Sequence, residues 1–250
     1  ENDEDIAKEA KYQKAIVLQN GKQEIKIGEN DIWGTQINRA GKEWKQYSMI
    51  VNIPDNKLVK FVFKPCAGDN NSLSGYDCKK ADNVVYWFDK VTLEPTDEAG
   101  PGEGEEPATE LVKNGSFEKD FAADKQPGIY AAWQTQGNNT LNFLDMWFAK
   151  PDVTNPSLSI DTGTGANGSN RSLKYTAEKV DNTWGVDLSY PLQGVNPGKY
   201  ELSFYAKTNQ TESPFITSIT LCENNEDIAK EAKFQKAIVL QNGVQTIESG

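Results

Sequence analysis

The stretch WGVDLSYPLQGVNPGKYELSFYAKT, residues 184–208, decides the fold class. It reads as two strands of one sheet joined by a turn at Asn196, Pro197 and Gly198, residue types that stop strands and reverse the chain. Within 200–207 the alternation is strict. Tyr200, Leu202, Phe204 and Ala206 share one face of the strand, and Glu201, Ser203, Tyr205 and Lys207 share the other. The first set predicts a core face. The second is polar but carries one ring, Tyr205.

The composition supports a globular domain around that strand. At 250 residues and 37% apolar the chain can bury a sizeable core. With 37 acidic against 26 basic residues its net charge of −11 repels phosphate backbones and anionic membrane surfaces, so no nucleic-acid partner is expected. No apolar run reaches the roughly 18 to 20 residues of a membrane span. The opening ENDEDIAKEAK has no signal-peptide pattern, and the chain reads as an excised piece. There is no histidine, which removes the commonest general base, the usual nucleophilic triads and most zinc sites. Cys66, Cys78 and Cys222 lack the close spacing of a metal knuckle. Cys66 and Cys78 bracket a polar loop, which a disulfide would close in a secreted protein; otherwise they are two unpaired thiols.

A repeat cuts the chain in an unusual place. Residues 1–28 and 223–250 are near copies, roughly 22 of 28 positions being identical. Each copy suggests a polar helix or turn (5–14 in the first) and a hairpin (15–19 with 22–27) around Asn20-Gly21, a pair suited to a type I′ turn. The segment 30–40 reads as a loop around Trp33, and strands are expected at 44–53, 58–64 and 84–93. The stretch 96–110 is acidic, rich in Gly and Pro and empty of large apolar side chains, and reads as a linker. Further strands are expected at 157–160, 173–177, 184–190, 200–207 and 215–222.

Three phrases carry a resemblance: VVYWFDKVTLE at 84–94, LVKNGSFEK at 111–119 and GKYELSFYAKT at 198–208. Together they resemble carbohydrate-binding modules of families 4, 9 and 22, which accompany bacterial xylanases and glucanases. The resemblance implies an all-β fold, a jelly-roll β-sandwich of antiparallel sheets. It also implies that tandem modules are sampled in permuted order. Residues 1–95 look like the C-terminal half of one module and 111–250 like the N-terminal half of the next, the halves complementing each other within the chain or by exchange in a dimer. The implied function is non-catalytic binding of a polysaccharide, xylan first and β-glucan second, that targets an attached glycoside hydrolase. The implied setting is bacterial and secreted, outside the cell or on its surface. The alternative is a structural or adhesive β-sandwich repeat of a cell-surface protein. A hydrolase needs two carboxylates about 5 to 10 Å apart across a cleft, and no motif singles out such a pair.

Sugars pack C–H groups on aromatic faces and pair hydroxyls with amides and charges. On that chemistry Trp133 and Trp147, in segments crowded with Gln, Asn and Asp, are expected to line a groove. Trp184 shares parity with Val186 and Leu188, which argues for the core, yet stands beside Asp181 and Asn182 where the resembled modules can place a ligand-facing ring. Tyr205 is expected on an exposed face, and Trp33 is a lesser groove candidate, while Trp44 and Trp87 read as packing residues. Polar partners are Gln134, Gln136, Asn138, Asp187, Glu201 and Lys207. The resemblance further implies a structural calcium held by oxygen ligands at Glu118, in the opening motif, and Asp89, in the last strand.

Overall fold

The structure, a computed structural model, describes residues 33–53, 58–65, 82–96, 110–131, 143–151, 153–180, 186–193, 195–211 and 213–222. The duplicated segments, the Cys66–Cys78 loop, most of the expected linker, and Trp133, Gln134, Gln136, Asn138 and Trp184 lie outside the described residues.

The described residues form a nearly all-β body of two sheets packed as a sandwich, with one short 3-10 turn at Ala123–Lys125. In chain order the strands are β1 (Trp33–Ala40), β2 (Lys45–Ile53), β3 (Leu58–Pro65), β4 (Asp82–Pro95), β5 (Gly128–Ile129), β6 (Phe148–Ala149), β7 (Ser157–Thr162), β8 (Arg171–Lys179), β9 (Leu188–Leu192), β10 (Gly198–Thr208) and β11 (Ser213–Cys222). One sheet runs β1-β11-β3-β9-β6-β5 and the other β2-β10-β4-β8-β7. All pairs are antiparallel except the short β5–β6 pair. Strands from before and after residues 96–110 are neighbours in both sheets, with β11 between β1 and β3 and β10 between β2 and β4, so the two portions of the chain share one core.

β10 sits at the centre of the five-stranded sheet, between β2 and β4. Its alternation does what the sequence requires: Tyr200, Leu202, Phe204 and Ala206 are buried while the intervening residues are half-buried. Tyr47, Met49, Val51 and Ile53 of β2 face the same core by the same period-two rule. Across the sandwich, Phe63 of β3 stacks on Phe88 of β4 at 4.5 Å and meets Phe204 of β10 at 4.7 Å. Each such ring contributes roughly 1.5 to 3 kcal/mol by burial alone, so this aromatic layer is the main bond between the sheets.

Two expectations are corrected. Residues 184–208 do not lie in one sheet: β9 pairs with β3 and β6, whereas β10 pairs with β2 and β4. Asn196, Pro197 and Gly198 do end one strand and start the next, but the connection crosses the roughly 10 Å gap between sheets instead of the roughly 4.8 Å gap between neighbouring strands. The segment around Trp33 is a strand rather than a loop, because β11 supplies a partner in register from Trp33↔Thr220 to Ala40↔Ser213. Its polar Asn38 is buried and satisfied, the Nδ2 donating to Thr217 Oγ1 at 3.0 Å.

β4 carries the irregularity that shapes the site. Its pairing with β10 slips between Thr92↔Ser203 and Asp89↔Tyr205, leaving a bulge at Lys90 and Val91, with Lys90 at φ 48°. The 114–118 phrase NGSFE lies against this bulge: Val91 N–H donates to the Gly115 carbonyl at 2.9 Å. A Cβ on Gly115 would stand 1.9 Å from the Val91 carbonyl oxygen, so only glycine allows the approach.

Candidate functional site

The outer face of the five-stranded sheet gathers aromatic and charged side chains in one row. Because Val84, Tyr86 and Phe88 of β4 point inward, Trp87 points outward. It is flanked in register by Lys207 of β10 and Lys174 of β8. The Lys207 ammonium lies 5.0 Å from the Trp87 ring centroid and 5.1 Å from that of Trp44, just before β2, so one cation links two indoles. The Lys174 ammonium lies 5.7 Å from the Trp87 ring and pairs with Asp161 of β7 at 3.3 Å. Trp87 Nε1 donates to the same Asp161 carboxylate at 2.8 Å. Burial opposes ionisation of Asp161, but these donors outweigh it and hold its carboxyl below the usual range. The row reads Trp44, Lys207, Trp87, Lys174, Asp161.

A second row runs beside it. The Tyr205 hydroxyl donates to Gln46 Oε1 at 3.2 Å and accepts from Asn167 Nδ2 at 2.7 Å. Asn167 belongs to a loop, 163–170, that two carboxylates fasten to the sheet. Asp89 accepts from Lys90 N at Oδ1 and from Ala166 N at Oδ2, both at 2.7 Å. Glu118 Oε1 accepts from Ser169 Oγ, Asn170 N and Arg171 N at 2.5, 2.7 and 2.9 Å. Asp89 is buried under the loop, and burial pushes its carboxyl up despite the two N–H donors. Glu118 is exposed, and the Ser169 hydroxyl, with the Asn170 and Arg171 amides, holds it down.

Glu118 and Asp89, expected to share a calcium ion, thus converge on one loop from distant parts of the chain. Calcium takes six to eight oxygen ligands. Among the described residues no group of three or more acidic or cysteine side chains is available, so an ion here would draw its remaining ligands from backbone carbonyls and water. Both Asp89 oxygens already accept backbone N–H groups, from Lys90 at Oδ1 and from Ala166 at Oδ2.

The other expected site residues are scattered. Trp147 is corrected: it is fully buried, with ring centroids 4.8 Å from Tyr190, 5.7 Å from Phe63 and 5.9 Å from Phe117. Its sequence neighbours Phe143, Met146 and Phe148 form a separate small apolar cluster with Tyr130, while Trp147 itself joins the main core. Asp187 lies on the other sheet's side, held by the ammoniums of Lys64 and, at 2.6 Å, Lys150. Burial would raise its carboxyl, but the two lysines bring it down to about 2. Glu201 is on the outer face of β10 as expected, opposite Glu94 in register, and Tyr205 and Lys207 share that face. Trp44 and Trp87 are also corrected, being half-buried on the outer face rather than packed in the core. Strand parity in VVYWFDK already carried that signal for Trp87.

A depression of about 270 Å³ lies elsewhere, at the β7 edge beside Phe121 and Arg171, too small for a polysaccharide chain. No helix among the described residues is long and apolar enough to cross a membrane. Searches against protein-family models, curated proteins and solved structures find no match to the chain.

Proposed function

We propose that the chain is a non-catalytic carbohydrate-binding module of the jelly-roll class, and that the outer face of the five-stranded sheet is its ligand platform. The observation that carries this reading is the row of Trp44, Lys207 and Trp87 beside the amide-bracketed hydroxyl of Tyr205. Aromatic surface flanked by amides, hydroxyls and charges is the chemistry that a flat, hydroxyl-rich chain requires. The ligand is a β-linked plant polysaccharide, xylan before β-glucan, and the module serves an attached glycoside hydrolase outside the cell. Its mechanism is proximity: binding raises the local substrate concentration at a tethered active site. A structural calcium at Asp89 and Glu118 would fasten loop 163–170, and with it Asn167, against Tyr205.

A second reading, a structural or adhesive sandwich repeat, rests on the same row. Lys174 and Lys207 both lie over Trp87, and its Nε1 is bound to Asp161, so the ring is already engaged within the protein. Calorimetric titration with xylohexaose and cellohexaose separates the two. Saturable binding that is lost in Trp87→Ala supports the module; no heat with either sugar supports the structural repeat.

A further inference from the structure

The outer face of β10 carries charges of both signs, with Lys199 and Glu201 near its start and Lys207 near its end. Lys207 and Lys174 stand at one end, flanking Trp87. At the other end Glu201 stands opposite Glu94 in register, and between the two ends Ser203 Oγ meets Thr92 Oγ1 at 3.0 Å. Of the two lysines, Lys174 is paired with Asp161. Lys207 has two indole faces and no carboxylate partner among the described residues, in a chain whose net charge is −11. Lying over two indoles and in no ion pair with a described carboxylate, the Lys207 ammonium can direct N–H donors to an anion.

Resting on the carbohydrate-binding reading, we infer that the ligand is an acidic polysaccharide whose uronic acid residue places its carboxylate on Lys207. The flanking indoles exclude water from part of the ammonium, which strengthens a charge-assisted hydrogen bond made there. The unsubstituted sugars then run across the hydroxyls of Ser203 and Thr92.

The test compares three hexasaccharide-sized ligands by calorimetry: neutral xylohexaose, a xylo-oligosaccharide bearing one glucuronic acid, and the same compound with its carboxyl reduced to an alcohol. The acidic ligand is expected to bind about tenfold more tightly than the other two, the scale of one charge-assisted contact. That preference should shrink in high salt, vanish in Lys207→Met, which keeps the stem between the rings, and return in Lys207→Arg. Equal affinity for all three ligands, or a preference that survives Lys207→Met, overturns the inference while leaving the module intact. Binding of none of the three overturns the carbohydrate reading itself.

Discussion

Gly115 and Val91 meet backbone to backbone: the Val91 N–H donates to the Gly115 carbonyl at 2.9 Å, and a Cβ on Gly115 would stand 1.9 Å from the Val91 carbonyl oxygen. This contact joins the segment after residue 110 to the β4 bulge, whose neighbour Asp89 anchors loop 163–170. Backbone cannot swing aside as a side-chain tip can. Gly115→Ala is therefore expected to lower stability by about 3 kcal/mol, read as a lower urea midpoint at unchanged m-value. A variant as stable as the parent would show that the approach is not this close.

Trp147 and Trp87 are expected to separate stability from binding. Trp147→Ala leaves a cavity between Phe63, Phe117 and Tyr190 and should destabilise the fold by about 3 to 5 kcal/mol. Trp87→Ala removes cation–π contacts and one hydrogen bond at the surface, worth about 1 kcal/mol in all, while abolishing glycan binding. Urea denaturation of both variants checks the order, and equal losses would contradict the placement of the two rings.

Two carboxylates push acid stability in opposite directions. The folded-state carboxyl of Asp187 is lowered to about 2 from 3.8, so its contribution is complete above the unfolded value and is lost as pH falls toward 2. Its magnitude is about 2 kcal/mol, at 1.36 kcal/mol per unit. Asp89 is raised, so its contribution is present below 3.8 and is lost as pH rises through its folded value. Asp187→Asn should flatten the loss of stability between about pH 4 and 2, while Asp89→Asn, one acceptor short for the Lys90 and Ala166 N–H groups, should remove the Asp89 pH dependence without raising stability. Unfolding free energies measured from acid to neutral pH in chelator would show either effect missing.

A calcium ion at the proposed site would act on the same balance. If Asp89 and Glu118 hold an ion, millimolar calcium at a hundredfold excess over Kd stabilises the fold by about 2.7 kcal/mol. The gain should appear as a higher melting temperature than in chelator and disappear in Asp89→Asn. An unchanged melting temperature in the parent chain would leave loop 163–170 fastened by hydrogen bonds alone.

The parity of β10 was legible because a two-residue period and a buried face determine each other: Tyr200, Leu202, Phe204 and Ala206 are the core set that the sequence predicts. The same rule in β4 puts Trp87 outside, but a tryptophan between Tyr86 and Phe88 reads as one more packing ring. The passage of β9 into the other sheet was not legible, since Asn-Pro-Gly punctuates a hairpin and a sheet-to-sheet crossing alike. Nor was β1, whose polar TQINR has no strand pattern of its own and becomes a strand only beside β11. Trp147 misled because the Gln- and Asn-rich stretch before it drew the reading toward a groove, although its immediate neighbours Met146 and Phe148 are apolar and its ring meets Phe63, Phe117 and Tyr190. The convergence of Asp89 and Glu118 on one loop depends on the bulge at Lys90 and Val91, which no local pattern announces.

The central claim is that a sugar chain lies on the outer face of the five-stranded sheet, and the indole N–H resonances test it most directly. We would assign Trp87 and Trp147 by single Trp→Phe variants and follow both signals during titration with xylohexaose. The account predicts a saturable shift of the Trp87 resonance, with that of Trp147 nearly still. Saturable binding with no movement at Trp87 would place the ligand elsewhere and contradict it.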